Sequence, residues 1–591
     1  ARRDAPLAAE PLGMGKRPAA ALLLAVALAA TAPATADPAP SASPRQAFAA
    51  YRRAVERSLE RGDPGARRFF ESVQVAGDRL VFHWHRGIDD LDADGAQEIL
   101  LERWRVTMDT IGFGFSGDYR AEVVDGARGS TQWTYRNEFS GGFPVLALRI
   151  SLGEGTPGLL FPKIDNQSAE SPTYRLTFDA VAGSSGETVW TRAFTSTFNL
   201  VTGGVAGTDA PTALQKFEPD GDETTELLVA LTDYARAALP DRAVARSEVY
   251  ALDAADGSLR PLGEVGPDLV WFHSVQAGPD VDGLGGDDVV IAGNENSDDA
   301  YLEARSGIDG STIWRTPARI GWHTWAAALP DMNADGSRDI IVGWDRPHTN
   351  ERVFQVWDAR KPRPLWKAEG VFPYLLGDGD RDGTTDIGAF DFIHTRKRTG
   401  ARFKAFSHGR LLYRTTHVRE VPECDGSCFS VGFYLNAGDV DGDGLRDTYV
   451  LVTMQTKGEP KTIEYAAAGA DGSVLYRRRN LAPVLGSVGG TPAGDLLGFA
   501  RAGRDVIRVT AYDGPTMRAL WTRSYRMTGA RDLGPYGAYG GGVELDGDGR
   551  SELLLTVAGK RARTLVALDG GSGDLLWQRP VTGGRRVEVQ R

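Results

Sequence analysis

The chain has 591 residues, 41% of them hydrophobic, with 79 acidic against 67 basic side chains for a net charge of −12. That length supplies a large core, and the acidic balance excludes the basic stripe on which nucleic-acid binding depends. Beyond residue 36 no run approaches about 18 uninterrupted apolar residues, so no membrane-spanning helix is expected.

Residues 14–36 read MGKRPAAALLLAVALAATAPATA, with Met14, basic Lys16 and Arg17, an apolar stretch from 22 to 30 and then Ala34-Thr35-Ala36. This order predicts a secretory signal peptide cut after Ala36, with residues 1–13 an upstream extension. The expectation is a secreted, extracellular protein, and no Cys follows the signal to take a lipid. In the segment 37–75 a Pro/Ala/Ser-rich linker (37–44) precedes Phe48, Tyr51, Val55 and Leu59, whose spacing predicts a short amphipathic helix with no chemistry of its own.

From residue 76 to 591 one nine-residue pattern keeps returning. DLDADGAQE (90–98) comes first, with Asp90, Asp92, Asp94 and Glu98 at positions 1, 3, 5 and 9 around a glycine at position 6. EPDGDETTE (218–226) offers Glu218, Asp220, Asp222 and Glu226 but has Glu223 in place of the glycine. DVDGLGGDD (280–288) offers Asp280, Asp282 and Asp288, with Leu284 at position 5. DMNADGSRD (331–339) has Asp331, Asn333, Asp335 and Asp339; DGDRDGTTD (378–386) has Asp378, Asp380, Asp382 and Asp386. DVDGDGLRD (439–447) has Asp439, Asp441, Asp443 and Asp447; ELDGDGRSE (544–552) has Glu544, Asp546, Asp548 and Glu552. SLGEGTPGL (151–159) and SVGGTPAGD (487–495) stand where the spacing calls for two more but lack most of the carboxylates, and predict turns without a metal.

A calcium ion takes six to eight oxygens at about 2.3–2.6 Å in a flexible cage. Positions 1, 3, 5 and 9 supply side-chain oxygens, a carbonyl near position 7 another, and the glycine a sharp bend with positive φ. An apolar strand follows at once, so the turn is not an EF-hand, which closes on a Glu at position 12 between helices. The competing reading is that Asp, Asn and Gly crowd into turns because their side chains bond nearby backbone. The two imperfect turns stand open between these readings.

The nine pattern starts, 90, 151, 218, 280, 331, 378, 439, 487 and 544, lie 47 to 67 residues apart, a period belonging to a repeat array. Each unit adds a hairpin, as in VYALDAADGSLRP (249–261), AYLEARSGIDGSTIW (300–314), VTAYDGPTMRALW (509–521) and LVALDGGSGDLLW (565–577), giving four strands per unit. The prediction is an all-β chain, a β-propeller of about eight four-stranded blades, seven to nine being possible, with calcium turns between strands 1 and 2 of most blades. Trp314, Trp366, Trp521 and Trp577 close successive hairpins and are expected to pack blade on blade.

The turn D-x-D-x-D-G-x-x-D, followed by strands ending IVGWD, IGAFD or IAGNE, resembles the FG-GAP (VCBS-like) repeats of integrin α-type propellers and of secreted bacterial proteins. The resemblance spans roughly 80–580 and implies structural Ca2+ at several turns. The name motifs are poorly kept, since few turns follow a Phe-Gly pair. A second, partial resemblance links ALDGGSGDLLW to the blades of quinoprotein dehydrogenases, but no vicinal cysteine pair is present for the quinone.

Cys424 and Cys428, in ECDGSC, predict a small-loop disulfide in an oxidising compartment, a two-thiol metal site being the lesser alternative. His83, His273 and His323 stand seven or eight residues before their turns, beside aromatics that include Trp322 and Trp325. If the blades are of the integrin type, His83, His273, Trp322, His323 and Trp325 line the mouth opposite the calcium turns and could bind a sugar or peptide; the alternative is that they fill the core. With no nucleophile elbow, zincin helix or phosphate loop, the expected function is a monomeric, secreted calcium-binding propeller that binds an extracellular carbohydrate or protein ligand. The alternative is a propeller enzyme acting on an alcohol or polysaccharide.

Overall fold

In the computed structural model the described residues run from 73 to 590 with breaks, the longest at 197–214. The predicted signal peptide, the amphipathic helix, Asp222, His273, Cys424 and Cys428 lie outside the described residues.

The central strands of the repeats are apolar without interruption, as in LLLTVAG (Leu553–Gly559) and VVIAGN (Val289–Asn294). A strand with one wet face alternates; these do not, so both of their faces must be covered. They are covered by neighbouring sheets. The described residues form nine antiparallel sheets, each a meander in which successive strands pair in chain order. Their spans are 73–142, 148–196, 215–268, 274–318, 322–369, 371–420, 429–476, 481–528 and 530–580, called here blades 1 to 9. Seven have four strands; blade 1 has five, and blade 8 gains Glu588–Gln590 beside Ala519–Thr528. The fold is all-β, with the four-stranded blade repeat of a β-propeller. The nine sheets fall at the upper end of the expected seven to nine, and SLGEGTPGL joins the first two strands of a four-stranded sheet despite lacking most of the carboxylates.

The chain divides into two compact units. In the first, blades 2 to 5 stack in sequence order: Leu160 and Phe178 pack on Leu227 and Leu252, and Val290 and Leu302 on Ile340 and Val342. In the second, which holds blades 6 to 9 and most of blade 1, Leu497 and Val509 pack on Leu555 and Val566, and Leu554 and Leu565 on Ile99 and Val124. The last blade therefore packs on the first. Each four-stranded sheet buries its faces only against its neighbours, so the stack is the source of stability.

A repeated indole contact locks these pairs. Trp190, Trp314, Trp521 and Trp577 donate Nε1–H to the hairpin carbonyls of Ala254, Ala359, Gly570 and Gly126 in the next blade, at 2.9, 2.8, 2.6 and 2.7 Å. Trp577 also covers Gly129, where φ is +68° and an added Cβ would lie 2.6 Å from the ring, so only glycine fits. Trp314, Trp521 and Trp577 thus pack blade on blade as expected; Trp366 stacks edge-on against Phe354 of its own blade, centroids 5.9 Å apart.

Candidate metal centres in the blade turns

The turns at 331–339 and 90–98 are each built around the position 1 carboxylate. Asp331 accepts from the Asp335 amide at 3.2 Å and the Gly336 amide at 2.7 Å, while Asp335 accepts from Ser337 at 3.0 Å. Asp90 repeats the bonds with Asp94 at 3.1 Å and Gly95 at 2.9 Å. Position 6 is left-handed as expected, with φ of 85° at Gly336 and 89° at Gly444. Position 4 is left-handed too, and there the residues include Ala93 (63°), Ala334 (59°) and Arg381 (61°). A non-glycine residue in that region costs about 1 kcal/mol. The turn spends this strain to point its side-chain oxygens inward.

The position 9 carboxylate lies at the start of the next strand and is buried: Glu98, Asp339, Asp386 and Asp447 are at 0% exposure and Glu552 at 1%. Except at 218–226, where position 2 is Pro219 and has no N–H, one of its oxygens accepts the amide of position 2, as from Met332 to Asp339 at 2.7 Å and from Leu545 to Glu552 at 2.6 Å. The second oxygen differs between blades. In Asp288 and Asp447 it accepts from the hairpin amides of Gly307 at 2.8 Å and Gly469 at 2.7 Å. In Glu552 the second oxygen has no hydrogen-bond partner.

Four carboxylates gather in the first turn, Asp90, Asp92, Asp94 and Glu98, with donor oxygens within 4.8 Å of one another. The same closeness holds for Glu218, Asp220 and Glu226; for Asp280, Asp282 and Asp288; for Asp378, Asp380 and Asp386; and for Asp439, Asp441 and Asp447. Oxygens at about 2.3–2.6 Å from calcium lie at most about 4.6–5.2 Å apart, so these groups have the right size for that ion. Their electrostatics agree. Burial, opposed in part by the amides and reinforced by neighbouring carboxylates, pushes Glu98, Asp339 and Asp447 up to about 7 and Glu552 up to about 8. Asp288 rises to about 6 for the same first cause.

The turn at 378–386, faultless as a sequence, is partly occupied by its own hairpin. Asp382 accepts from the Thr384 hydroxyl at 2.6 Å and lies 3.0 Å from His408 Nε2; these contacts, Thr384 first, hold it down at about 2. Arg410 pairs with Asp380 at 3.3 Å. The carboxylates grouped here are Asp378, Asp380 and Asp386. In the last turn Asp546 and Asp548 flank Glu552 and add to its upward shift.

Of the other candidates, His83 is 8% exposed, with neither ring nitrogen hydrogen-bonded. Burial first, then Arg563, Arg103, Arg105 and His85, hold its pKa well below 6.5, so it stays neutral. Trp322, His323 and Trp325 lie on the first strand of blade 5, Trp322–Ala328.

Sequence reading missed Gln132, whose Nε2 donates to Asp92 at 2.8 Å and Glu98 at 3.2 Å, and Arg260, which pairs with Glu226 at 3.1 Å. Their signal is a polar residue where other hairpins carry an aliphatic one.

The sheets and stacked hairpins define a propeller-repeat protein. The chain matches no protein-family profile and no curated relative. Solved structures similar to it include the Dos1 propeller, at 11% identity over 65% of this chain and 89% of that one, TM-score 0.29. Another is the β-propeller domain of the Trilobed protease from Pyrococcus furiosus, at 9% over 75% and 97%, TM-score 0.26. A third is the quinohemoprotein alcohol dehydrogenase from Comamonas testosteroni, at 11% over 94% and 77%, TM-score 0.21. Superpositions this loose carry no argument about activity.

Proposed function

We propose that this chain is an exported, calcium-stabilised propeller of the FG-GAP type that presents a binding surface to an extracellular carbohydrate or protein. One observation carries the calcium reading. Glu552 is buried to 1% exposure, keeps an oxygen without a hydrogen bond, and shares its turn with Glu544, Asp546 and Asp548. A buried carboxylate left so costs free energy that a coordinated cation would remove. Asp90, Asp92, Asp94 and Glu98, and their counterparts in the other turns, would hold Ca2+ by oxygen ligation, tying the turn to the strand that follows it. Residues 14–36 support export, and millimolar extracellular calcium would suit sites with dissociation constants of about 10^-4 to 10^-3 M. The aromatic and histidine-rich strand starts support a ligand.

The test is a thermal melt of the calcium-stripped protein with EGTA, with 2 mM Ca2+ and with Mg2+. At about 1 mM free Ca2+ and a dissociation constant near 10^-4 M each site adds about 1.4 kcal/mol, so several sites give a rise of many degrees with Ca2+ and little with Mg2+. An unchanged melt in all three rejects the calcium reading. Glycan and protein screens on wild type and on a His323→Ala variant test the ligand surface, which fails if nothing bound is lost in the variant.

A further inference from the structure

Seven hairpins among the described residues close alike: the first residue donates its amide to the carbonyl five residues on, as from Asp125 to Ser130 at 2.9 Å and Asp569 to Asp574 at 2.8 Å. Two residues past that carbonyl, five of the seven carry Val189, Ile313, Leu475, Leu520 or Leu576. The other two carry Gln132 and Arg260. These two polar side chains reach back into the acidic turn of their own blade, and each touches its position 9 glutamate.

The geometry points to this hairpin position as the determinant of which turns accept a divalent cation, with Arg260 a built-in counter-ion that closes the turn at 218–226. The inference rests on the reading of the turns as calcium sites. Three turns end in glutamate, and they form a series. Glu226 Oε1 is held at 3.1 Å by Arg260, whose side chain is 32% exposed and whose other terminal nitrogen donates to the Ile308 carbonyl. A guanidinium stays charged at any working pH and has five donors but no acceptor, so beside Glu226 it neutralises the carboxylate and repels a dication. Glu98 faces Gln132, a neutral amide whose Oε1 is buried with no hydrogen-bond partner. Amide O and N have nearly the same shape, so rotating the Gln132 amide by half a turn replaces two donated bonds with one more oxygen for a cation. Glu552 faces neither: the corresponding residue is Leu576, 38% exposed. The turns at 90–98 and 544–552 therefore take a cation from solvent, and the turn at 218–226 carries its own.

Equilibrium dialysis at 1 mM free Ca2+ counts bound calcium per chain. Arg260→Gln is expected to bind one more ion than wild type, and Leu576→Arg one fewer, with far-UV circular dichroism showing both folded. An unchanged count in R260Q overturns the inference; should R260Q not fold, an unchanged count in L576R overturns it. A wild-type count of zero rejects the calcium reading itself and this inference with it, whereas a wild-type count of several with neither variant shifted rejects the inference alone.

Discussion

Two turns of one unit, 544–552 and 487–495, separate what an acidic residue does for the fold from what it does for a cation. In the first, Glu544, Asp546 and Asp548 surround Glu552, and one Glu552 oxygen is without a hydrogen bond. In the second, Ser487 and Gly489 replace the first two acids and Asp495 remains, at 0% exposure. Asp495 accepts from Gly489 at 2.8 Å and from the hairpin amide of Gly514 at 3.2 Å, so its bonds are all backbone. The position 9 carboxylate is thus a clamp on the turn whether or not the other acids are there. Positions 1, 3 and 5 are an addition to that clamp.

The sharpest way to break this distinction is Asp495→Ala, which strands two amides and should cost about 2–4 kcal/mol. The loss should be equal with EGTA and with Ca2+ in urea titrations; rescue by calcium would show that Asp495 is a ligand after all. Glu552→Gln should act in opposite senses. The folded-state pKa of Glu552, pushed up by burial to about 8, lies above its ordinary value of 4.5, so its contribution to metal-free stability is complete below pH 4.5 and is lost as pH rises through 8. Calcium-stripped wild type should therefore weaken from pH 5 to pH 9, and E552Q should weaken less. In 2 mM Ca2+ at pH 8 the order reverses, E552Q losing about 1.8 kcal/mol with its site at a dissociation constant near 10^-4 M. Urea midpoints in which both proteins follow one pH curve would contradict this. The smallest effect belongs to Trp577→Phe, which removes the 2.7 Å bond to Gly126 and should cost about 1 kcal/mol irrespective of calcium. A calcium-dependent loss there would mean that the turns act through the blade contact.

Asp90, Asp92, Asp94 and Glu98 were legible because their turn is local: every side-chain donor lies within nine residues and the spacing alone brings them together. The indoles were legible for a similar reason, a tryptophan recurring at a fixed step from a glycine turn. Gln132 and Arg260 were not, since each lies 34 residues beyond the glutamate it meets and finds it only through hairpin register. Asp382 misled in the other direction. Its spacing is faultless, yet Ser407 and His408, brought alongside by a tight hairpin, already occupy its carboxylate. The nine sheets match the nine pattern starts, SLGEGTPGL and SVGGTPAGD included, so the repeat spacing marked a sheet even where most of the carboxylates are missing.

Blade 1 receives both the Trp577 indole and a backbone bond from Gln97 to the Glu544 carbonyl at 2.8 Å, so its flank is completed by residues about 450 positions later in the chain. At about 5–20 residues per second, the first sheet to leave a ribosome would wait roughly 20–90 s for its neighbour. During that interval Ile99, Leu101 and Val124, buried in the finished protein, lack the surface that covers them. A nascent or C-terminally truncated chain would thus expose its earliest strands for longest, and a chaperone that shields them has its strongest claim at the N-terminal sheet.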